Sequence, residues 1–158
     1  MKTMKIKLIL FFAVLLTASN SLQAQYIPEI SPVDIYGNLE NIGFETEKDL
    51  GSEYGNFWIS TNSNGGIDYK VEVESDNASD VQSIRATAMN INRNEAEVKQ
   101  FLKYVGSVLF LYRDSGESQF NRWVDSSFNS GGKTTVGQVE VEIKSPSRSV
   151  RIMNIRAN

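Results

Sequence analysis

Neither cysteine nor histidine occurs among the 158 residues of this chain, and each absence excludes a group of mechanisms. Without cysteine there is no disulfide, no thiol nucleophile, no thiolate metal ligand and no residue for a cysteine-linked lipid. Without histidine there is no Ser-His-Asp triad, no imidazole base and no ordinary catalytic zinc site. Carboxylate, hydroxyl, lysine and tyrosine chemistry remain. We therefore predict a non-enzymatic protein with no cofactor and no metal site.

The first 24 residues have the three parts of a secretory signal peptide. Lys2, Lys5 and Lys7 form a positive start, an apolar run covers residues 8–16, and Ala24 is a small residue at the cleavage position. The run is too short to cross a bilayer of roughly 30 Å as a helix, so an uncleaved anchor is the less favoured alternative. We predict cleavage after Ala24 and export to the periplasm or the extracellular space.

Removal of this leader makes the chain more acidic. Residues 25–158 carry 13 basic and 19 acidic side chains, a net charge of −6. Nucleic acids and anionic membranes select clustered Lys and Arg, so neither is a predicted partner, and no membrane insertion is expected after cleavage. A chain of this length buries roughly two-thirds of its unfolded surface, which allows a single domain over 25–158. We expect a monomer or a weak homo-oligomer.

Helix signals are present in three segments, which predict helices over 32–42, 94–111 and 117–128. The first starts with Ser31 in the N-cap position and stops at Gly43, which suits a left-handed C-terminal residue. The second opens with Asn94 and Glu97 in the pattern of a capping box. All three repeat apolar residues at helical spacing, so each has one face for the core.

Alternating apolar and charged residues predict the strands. The pattern is clearest from Ile67 to Glu74 and returns over 139–144. Further strands are predicted from Phe57, over 81–91 and over 150–155, with 44–48 as a short additional strand. Turn residues between neighbouring strands favour hairpins. The order α-ββ-β-α-α-ββ therefore predicts an α+β fold, with a largely antiparallel sheet and three helices packed on one face.

The order of elements also suggests an internal duplication. A helix, a glycine stop and a hairpin over 31–75 are followed by the same succession over 117–156. This doubling resembles the architecture of the β-lactamase-inhibitor protein. Short segments resemble small secreted bacterial proteins of unknown function; they are Asn38-Leu39-Glu40 with Gly43-Phe44, Val81 to Ala88, Phe101 to Val105, and Trp123-Val124 with Thr135-Val136-Gly137. The resemblance implies a secreted α+β protein and assigns no residue a role.

Aromatic residues concentrate around the first hairpin, and they are the predicted binding residues: Tyr54, Phe57, Trp58 and Tyr69. Phe57 and Trp58 are adjacent in a strand, so their side chains point to opposite faces of the sheet. One enters the core, and the other needs cover from a loop, a second subunit or a ligand. Aromatic side chains are over-represented at binding hot spots. The alternative is that the neighbouring loop, residues 49–55, covers the second ring.

Carboxylates offer a different hypothesis. The outward positions of two strands carry Glu72, Glu74, Glu140 and Glu142. Glycoside hydrolysis needs two carboxylates at suitable separation, although alternating Glu and Lys on a strand is more typical of a solvated face. The loop over 76–80 is rich in oxygen donors, but it lacks the closing Glu and the glycine of a calcium loop, and turn chemistry explains its residues.

These observations favour an exported binding or protein-interaction module whose partner is an unknown protein or a small ligand. Its contact surface would be the solvent-facing side of the sheet together with the aromatic residues near Phe57. Two alternatives stay open. One is a carboxylate-dependent glycan hydrolase, and the other is an oligomeric envelope scaffold that pairs exposed strand edges, such as the strand ending at Ile155.

Overall fold

The computed structural model describes residues 26–49, 56–91, 94–113 and 115–158. The predicted leader and the predicted binding residue Tyr54 lie outside the described residues. Among the helices that the structure describes, none is long and apolar enough to cross a membrane. The described chain enters the packed domain at once, because Ile27 is 2% exposed and its N–H donates to the Val81 carbonyl at 2.7 Å.

Three α-helices are present in the described ranges: α1 (Pro32–Asn41), α2 (Glu95–Ser107) and α3 (Glu117–Ser127). Helix α1 begins and ends as the sequence predicts. The N–H and hydroxyl of Ser31 both donate to the Asp34 carboxylate, at 2.9 and 2.7 Å. Gly43 has φ +89°, and the N–H groups of Gly43 and Phe44 donate to carbonyls of the last helical turn. These bonds form a Schellman motif.

The predicted capping box also starts α2. The Asn94 side chain accepts a hydrogen bond from the Glu97 N–H at 3.2 Å and donates to the Glu97 carboxylate at 2.5 Å. The helix is shorter than the predicted 94–111, because its last turn tightens into a 3₁₀ helix, Val108–Phe110. The apolar spacing continues through that turn, and all three of its residues are buried.

In the part of the chain that the structure describes, seven antiparallel strands form one sheet, in the order β1-β2-β3-β4-β7-β6-β5. They are β1 (Glu45–Asp49), β2 (Asn56–Asn64), β3 (Ile67–Ser75), β4 (Val81–Met89), β5 (Gly132–Val136), β6 (Val139–Ser147) and β7 (Val150–Ala157). The predicted succession of helices and strands is confirmed, and β5 is an addition to it. Its residues GKTTV lack the alternation of apolar and charged side chains, so the sequence pattern does not reveal it.

Helices cover one face of the sheet, which confirms the predicted α+β architecture. Along β3 the burial alternates, with Ile67, Tyr69, Val71 and Val73 turned into the core. These side chains pack in one cluster with buried residues of all three helices. The predicted strand over 81–91 behaves in the same way, since Ala86 and Ala88 are fully buried on the helix face.

Two units with the same element order lie on either side of β4. The first is α1 followed by β1, β2 and β3, and the second is α3 followed by β5, β6 and β7. Strands β3 and β7 both pair with β4, so β4 joins the two halves into one sheet. The internal duplication stays a prediction, which this order of elements fits.

Among the described residues, β1 and β5 each pair with one strand and form the two free edges of the sheet. Strand β7, which contains Ile155, lies between β4 and β6 and has no free edge. The expectation that this strand offers an edge for oligomerisation is therefore wrong. It fails because adjacency in sequence predicts the β6–β7 hairpin but does not predict that β4, from the other half of the chain, covers the far side of β7.

A charged side chain lies inside the core, where the sequence predicts none. Arg151 is 4% exposed and points to the helix face. Its guanidinium donates to the Phe128 carbonyl at 2.6 Å, to the carbonyls of Ser147 and Val150 at 2.8 and 2.9 Å, and to the Asn129 side chain at 2.7 Å. It also lies 4.6 Å from the centre of the Phe128 ring. Arg151 thus ties the end of α3 to the β6–β7 hairpin.

Candidate functional site

The sheet face opposite the helices is the candidate site, and we call it the open face. The strand registers place its side chains in five adjacent strands: Phe57, Ile59 and Thr61 on β2; Lys70, Glu72 and Glu74 on β3; Ser83, Arg85 and Thr87 on β4; Ile152, Asn154 and Arg156 on β7; and Glu140, Glu142 and Lys144 on β6. Each occupies every second position of its strand, because successive side chains alternate between faces.

A depression of about 510 Å³ crosses this face. Its lining combines the Phe57 ring with charged groups of four other strands, among them Glu74, Arg85 and Lys144. The carboxylates here are half-buried, since the Glu72 side chain is 28% and the Glu142 side chain 19% exposed, whereas the cations are exposed. The depression therefore offers an aromatic side chain, cations and carboxylates on a rigid sheet.

Nearly every acid in the depression has a partner within the face. The Lys70 ammonium lies 2.8 Å from the Glu72 carboxylate, and Lys144 lies 3.1 Å from Glu142. The Ser83 hydroxyl donates to Glu74 at 2.8 Å. These pairs occur between neighbouring strands or next-but-one residues and fix the orientation of the side chains.

Arg85 stands apart from this pairing. Its Nε donates to the Asn154 side-chain oxygen at 3.2 Å, and no carboxylate of the described residues lies within ion-pair distance. Its side chain is exposed near the middle of the sheet, on β4. A guanidinium retains several donors after one hydrogen bond, so Arg85 can accept a carboxylate from a partner.

Glu140 lies at the edge of the open face beside two cations. The Arg156 guanidinium donates to it, with Nε at 3.0 Å, and the Lys133 ammonium lies at 3.4 Å. The hydrogen bond from Arg156 lowers the pKa of this carboxyl, and Lys133 acts in the same direction. Glu140 is therefore ionised near neutral pH.

This arrangement predicts a pH effect. In the Arg156→Met variant the pKa of Glu140 should rise towards the ordinary glutamate value of about 4.3, because its main hydrogen-bond donor is lost. Because the pKa of Glu140 is lowered in the folded protein, its ionised carboxylate stabilises the fold at pH values above the ordinary glutamate pKa. This stabilisation is lost as the pH falls through the lowered pKa. NMR titration of the Glu140 carboxyl carbon measures the shift. In the control Lys144→Met the titration midpoint of Glu140 should not move. Equal Glu140 midpoints in wild type and Arg156→Met would show that Arg156 does not lower this pKa.

The structure separates the four predicted binding residues. Phe57 lies on the open face and lines the depression. Trp58 lies on the helix face, where it is 6% exposed, stacks on Tyr36 at 6.2 Å between ring centres and is covered by the Lys48 ammonium at 4.8 Å. Tyr54 lies outside the described residues. The structure thus answers which ring of the Phe57–Trp58 pair enters the core, a choice that the sequence leaves open.

Tyr69 also belongs to the helix face. Its ring is 6% exposed and packs 4.7 Å from the Phe101 ring centre, and its hydroxyl donates to Glu97 at 2.9 Å. Burial, and then the hydrogen bond to Glu97, raise the pKa of Tyr69 above its ordinary value. Tyr69 is a neutral part of the core that also lines a groove of about 250 Å³ beside Ile42 and Tyr104.

The four candidate carboxylates do share one face. Glu72, Glu74 and Glu142 line the depression, and Glu140 lies beside Arg156 at its margin. Their alternation along β3 and β6 predicts this placement. The sequence does not reveal that Arg85, Asn154 and Arg156 fill the strands between them, although each occupies an outward position in its strand.

The oxygen-rich loop over 76–80 is held by turn hydrogen bonds. The Asn77 side-chain oxygen accepts from the N–H groups of Ser79 and Asp80, at 2.7 and 2.9 Å, and its amide nitrogen donates to the Asp80 carboxylate at 2.8 Å. These contacts are those of an Asx turn, and they use the oxygens that the calcium hypothesis would need as ligands.

Comparisons with known proteins give no match: no family model, no curated protein and no solved structure is significantly similar to this chain. The resemblance to small secreted proteins and to the β-lactamase-inhibitor architecture therefore stays a prediction.

Proposed function

We propose that this chain is an exported, non-enzymatic binding module that holds a partner protein on the open face of its sheet. The depression of about 510 Å³ carries the proposal, because it brings an aromatic ring and an arginine without a carboxylate partner together on a rigid surface. Aromatic residues, phenylalanine among them, and arginine are enriched in protein interfaces.

The breadth of the surface favours a protein over a small ligand. The lining residues come from five neighbouring strands, and polar and apolar groups alternate across them. Interfaces of exported proteins that associate reversibly have this mixed composition, with one or two anchors surrounded by polar contacts. In the partner we expect an apolar side chain against Phe57 and a carboxylate at Arg85.

Glycan hydrolysis is the less favoured function of the same face. A general acid has to retain its proton near neutral pH, usually because burial raises its pKa. Glu140 behaves in the opposite way, since Arg156 lowers its pKa. Glu72 and Glu142 are each engaged by a lysine, and Glu74 by a serine hydroxyl. This pattern is typical of a charge-balanced contact surface.

Export is part of the proposal and rests on the leader sequence. Lys2, Lys5 and Lys7 precede the apolar run, and Ala24 precedes the predicted cleavage position. The first described residues are compatible with a cut there, because Ile27 is already fixed to Val81 by a backbone hydrogen bond. Cleavage after Ala24 would leave that contact in place.

The test compares three forms of the protein purified from the cell envelope, where a mass without residues 1–24 is expected. The wild type, the double variant Phe57→Ala/Arg85→Glu and the control Tyr112→Ala are immobilised and exposed to envelope extract. Tyr112 is 61% exposed and lies outside the open face. We expect a protein that the wild type and the control retain, with affinity reduced at least about tenfold in the double variant.

Two results would contradict the proposal. One is retention of the same proteins by all three forms, which would place any contact elsewhere. The other is release of reducing sugars from envelope glycans by the wild type but not by a Glu72→Gln/Glu142→Gln variant, which would favour the hydrolase. Circular dichroism of each variant confirms that the fold is kept.

A further inference from the structure

We infer that the free edge of β5 is a second binding site, which accepts an extended segment of another polypeptide as an eighth strand. This site is independent of the open face, since it lies at the sheet edge beside α3. The class of ligand is a β-strand with an apolar side chain and an acidic residue.

The backbone of β5 has free donors and acceptors. Strand β5 pairs with β6 alone, and a two-residue turn joins Val136 to Val139. In such a hairpin the flanking residues bond to each other, so alternate residues of β5 bond to β6. The intervening residues, Lys133 and Thr135, direct their N–H and C=O groups away from β6. Within the described residues no backbone partner bonds to these outward groups.

The register of the next strand pair supports this assignment. The Asn158 N–H donates to the Gln138 carbonyl at 2.9 Å, so Gln138 bonds towards β7. Because bonding alternates along a strand, Val139 and Val141 bond towards β5. Their partners are Val136 and Thr134, which leaves Thr135 facing outward.

A groove of about 480 Å³ runs beside this edge. One wall is β5 with its turn, over residues 134–137, and the other is α3, which contributes Gln119, Phe120 and Trp123. The Trp123 ring is half-buried here and lies 5.7 Å from the buried Phe120 ring. An added strand would hydrogen-bond to β5 and place every second side chain towards α3 and the exposed part of Trp123. This is the geometry of β-strand addition between an edge strand and a helix.

Charge at the end of the groove specifies the ligand further. The Arg113 side chain lies against Gly137, in the turn that follows β5, and lines the groove. No carboxylate of the described residues forms an ion pair with Arg113. The lining residues in the described part of the chain include no acid. Among the described residues, Arg113 therefore presents to the groove a guanidinium with no ion pair, which complements a carboxylate on the incoming strand.

The opposite edge of the sheet shows what a protected edge looks like. Four of the five residues of β1 are charged, in the sequence ETEKD. Charged side chains on an edge strand prevent pairing with other chains. Strand β5 has the sequence GKTTV, with Lys133 as its single charged residue. The contrast indicates that the β5 edge is kept available.

A partner chain fits this edge better than a second copy of the protein. The edge strand of a second copy has the sequence GKTTV, which contains no acid. Pairing of two β5 strands would therefore leave each Arg113 guanidinium without a carboxylate from the incoming strand. A segment with its own acidic residue supplies that carboxylate.

Random heptapeptides displayed on phage are the probe. They are selected against the immobilised protein, and an enriched sequence is synthesised for binding measurements. We expect enriched peptides in which β-branched or aromatic residues alternate and an acidic residue is present. Methylation of the peptide's backbone nitrogens at every second position should abolish binding, and methylation at the positions between should not. Alternate N–H groups of a strand point to opposite sides, so only one of the two sets faces β5.

Three variants locate the site. Thr135→Pro removes an outward N–H without breaking the pairing with β6, and we expect loss of binding. Arg113→Glu should weaken binding at least tenfold. The control Arg122→Glu makes the same charge change on an exposed position of α3 outside the groove and should bind as the wild type does. Phe57→Ala should also bind normally, which separates this site from the open face.

Several outcomes would overturn the inference. No enrichment, or an enriched peptide that binds Thr135→Pro and Arg113→Glu as well as the wild type, would exclude strand addition at β5. Self-association of the wild type that Thr135→Pro abolishes would make a second copy the occupant. If Thr135→Pro loses its circular dichroism signal together with binding, the variant has unfolded, and Arg113→Glu decides the result. The Arg113 side chain lies outside the core, so this substitution should leave the fold intact.

Discussion

The Arg151→Met variant should lose about 3 kcal/mol of unfolding free energy, because one buried and three partly buried acceptors lose charged donors at once. The guanidinium binds the Phe128 carbonyl at the end of α3, the Asn129 side chain and two carbonyls of the β6–β7 hairpin. Methionine fills part of the volume but donates no hydrogen bond. Urea unfolding followed by circular dichroism gives the free energy.

The control for this prediction is Arg148→Met. Arg148 is exposed in the turn between β6 and β7, three positions away, and its removal should change the stability by less than about 0.5 kcal/mol. The unfolding free energy of an Arg151→Lys variant should lie between those of Arg151→Met and Arg148→Met. Lysine keeps the charge but cannot form the planar fork of hydrogen bonds. Equal stability of Arg151→Met and wild type would show that Arg151 does not join α3 to the hairpin.

A pair of glycine variants should change stability in opposite directions. Gly106→Ala is expected to destabilise the protein by about 1–3 kcal/mol, because a methyl group there would overlap the Phe120 ring. That ring is 3% exposed and lies 5.6 Å from the Phe110 ring and 5.7 Å from the Trp123 ring, so the packing around it has to shift to accept the methyl group. Gly106 is thus the point where α2 approaches α3 closely.

Gly37→Ala is the matched substitution in another helix. A methyl group at Gly37 would have its nearest neighbour, Val33, at 3.9 Å, which is an ordinary contact. Alanine favours the helix over glycine by about 0.5–1 kcal/mol, so this variant should be more stable than the wild type. Thermal unfolding of the two variants and the wild type measures whether stability falls in Gly106→Ala and rises in Gly37→Ala. Stabilisation of both would show that α2 and α3 are not in contact at Gly106.

The candidate site was only partly predictable. Alternation along β3 and β6 is enough to place Glu72 and Glu142 on one solvated face, because a strand exposes every second residue. The same rule predicts that Phe57 and Trp58 point to opposite faces, but both are large and apolar, and local pattern does not say which is buried. The stacking of Trp58 on Tyr36 of α1 decides it, and that contact depends on how the helix packs.

Residues that complete the site come from strands far apart in sequence. Arg85 on β4 lies opposite Asn154 on β7, a pairing that joins the two halves of the chain. Local propensity carries no information about such a pairing, since it depends on closing a long loop and on which faces have to be buried. The groove beside β5 has the same origin, because α3 and the edge strand form it together.

Residue order alone was enough to exclude cysteine and histidine chemistry and to predict the caps of α1 and α2 and the two-residue period of the central strands. These features depend on neighbours within a few residues, so their physical causes are all present in a short segment. The order of the strands, the burial of Arg151 and the free edge of β5 became visible only in the folded domain. Each of these results from contacts between distant segments, where packing and backbone pairing select one arrangement among several that the local pattern allows.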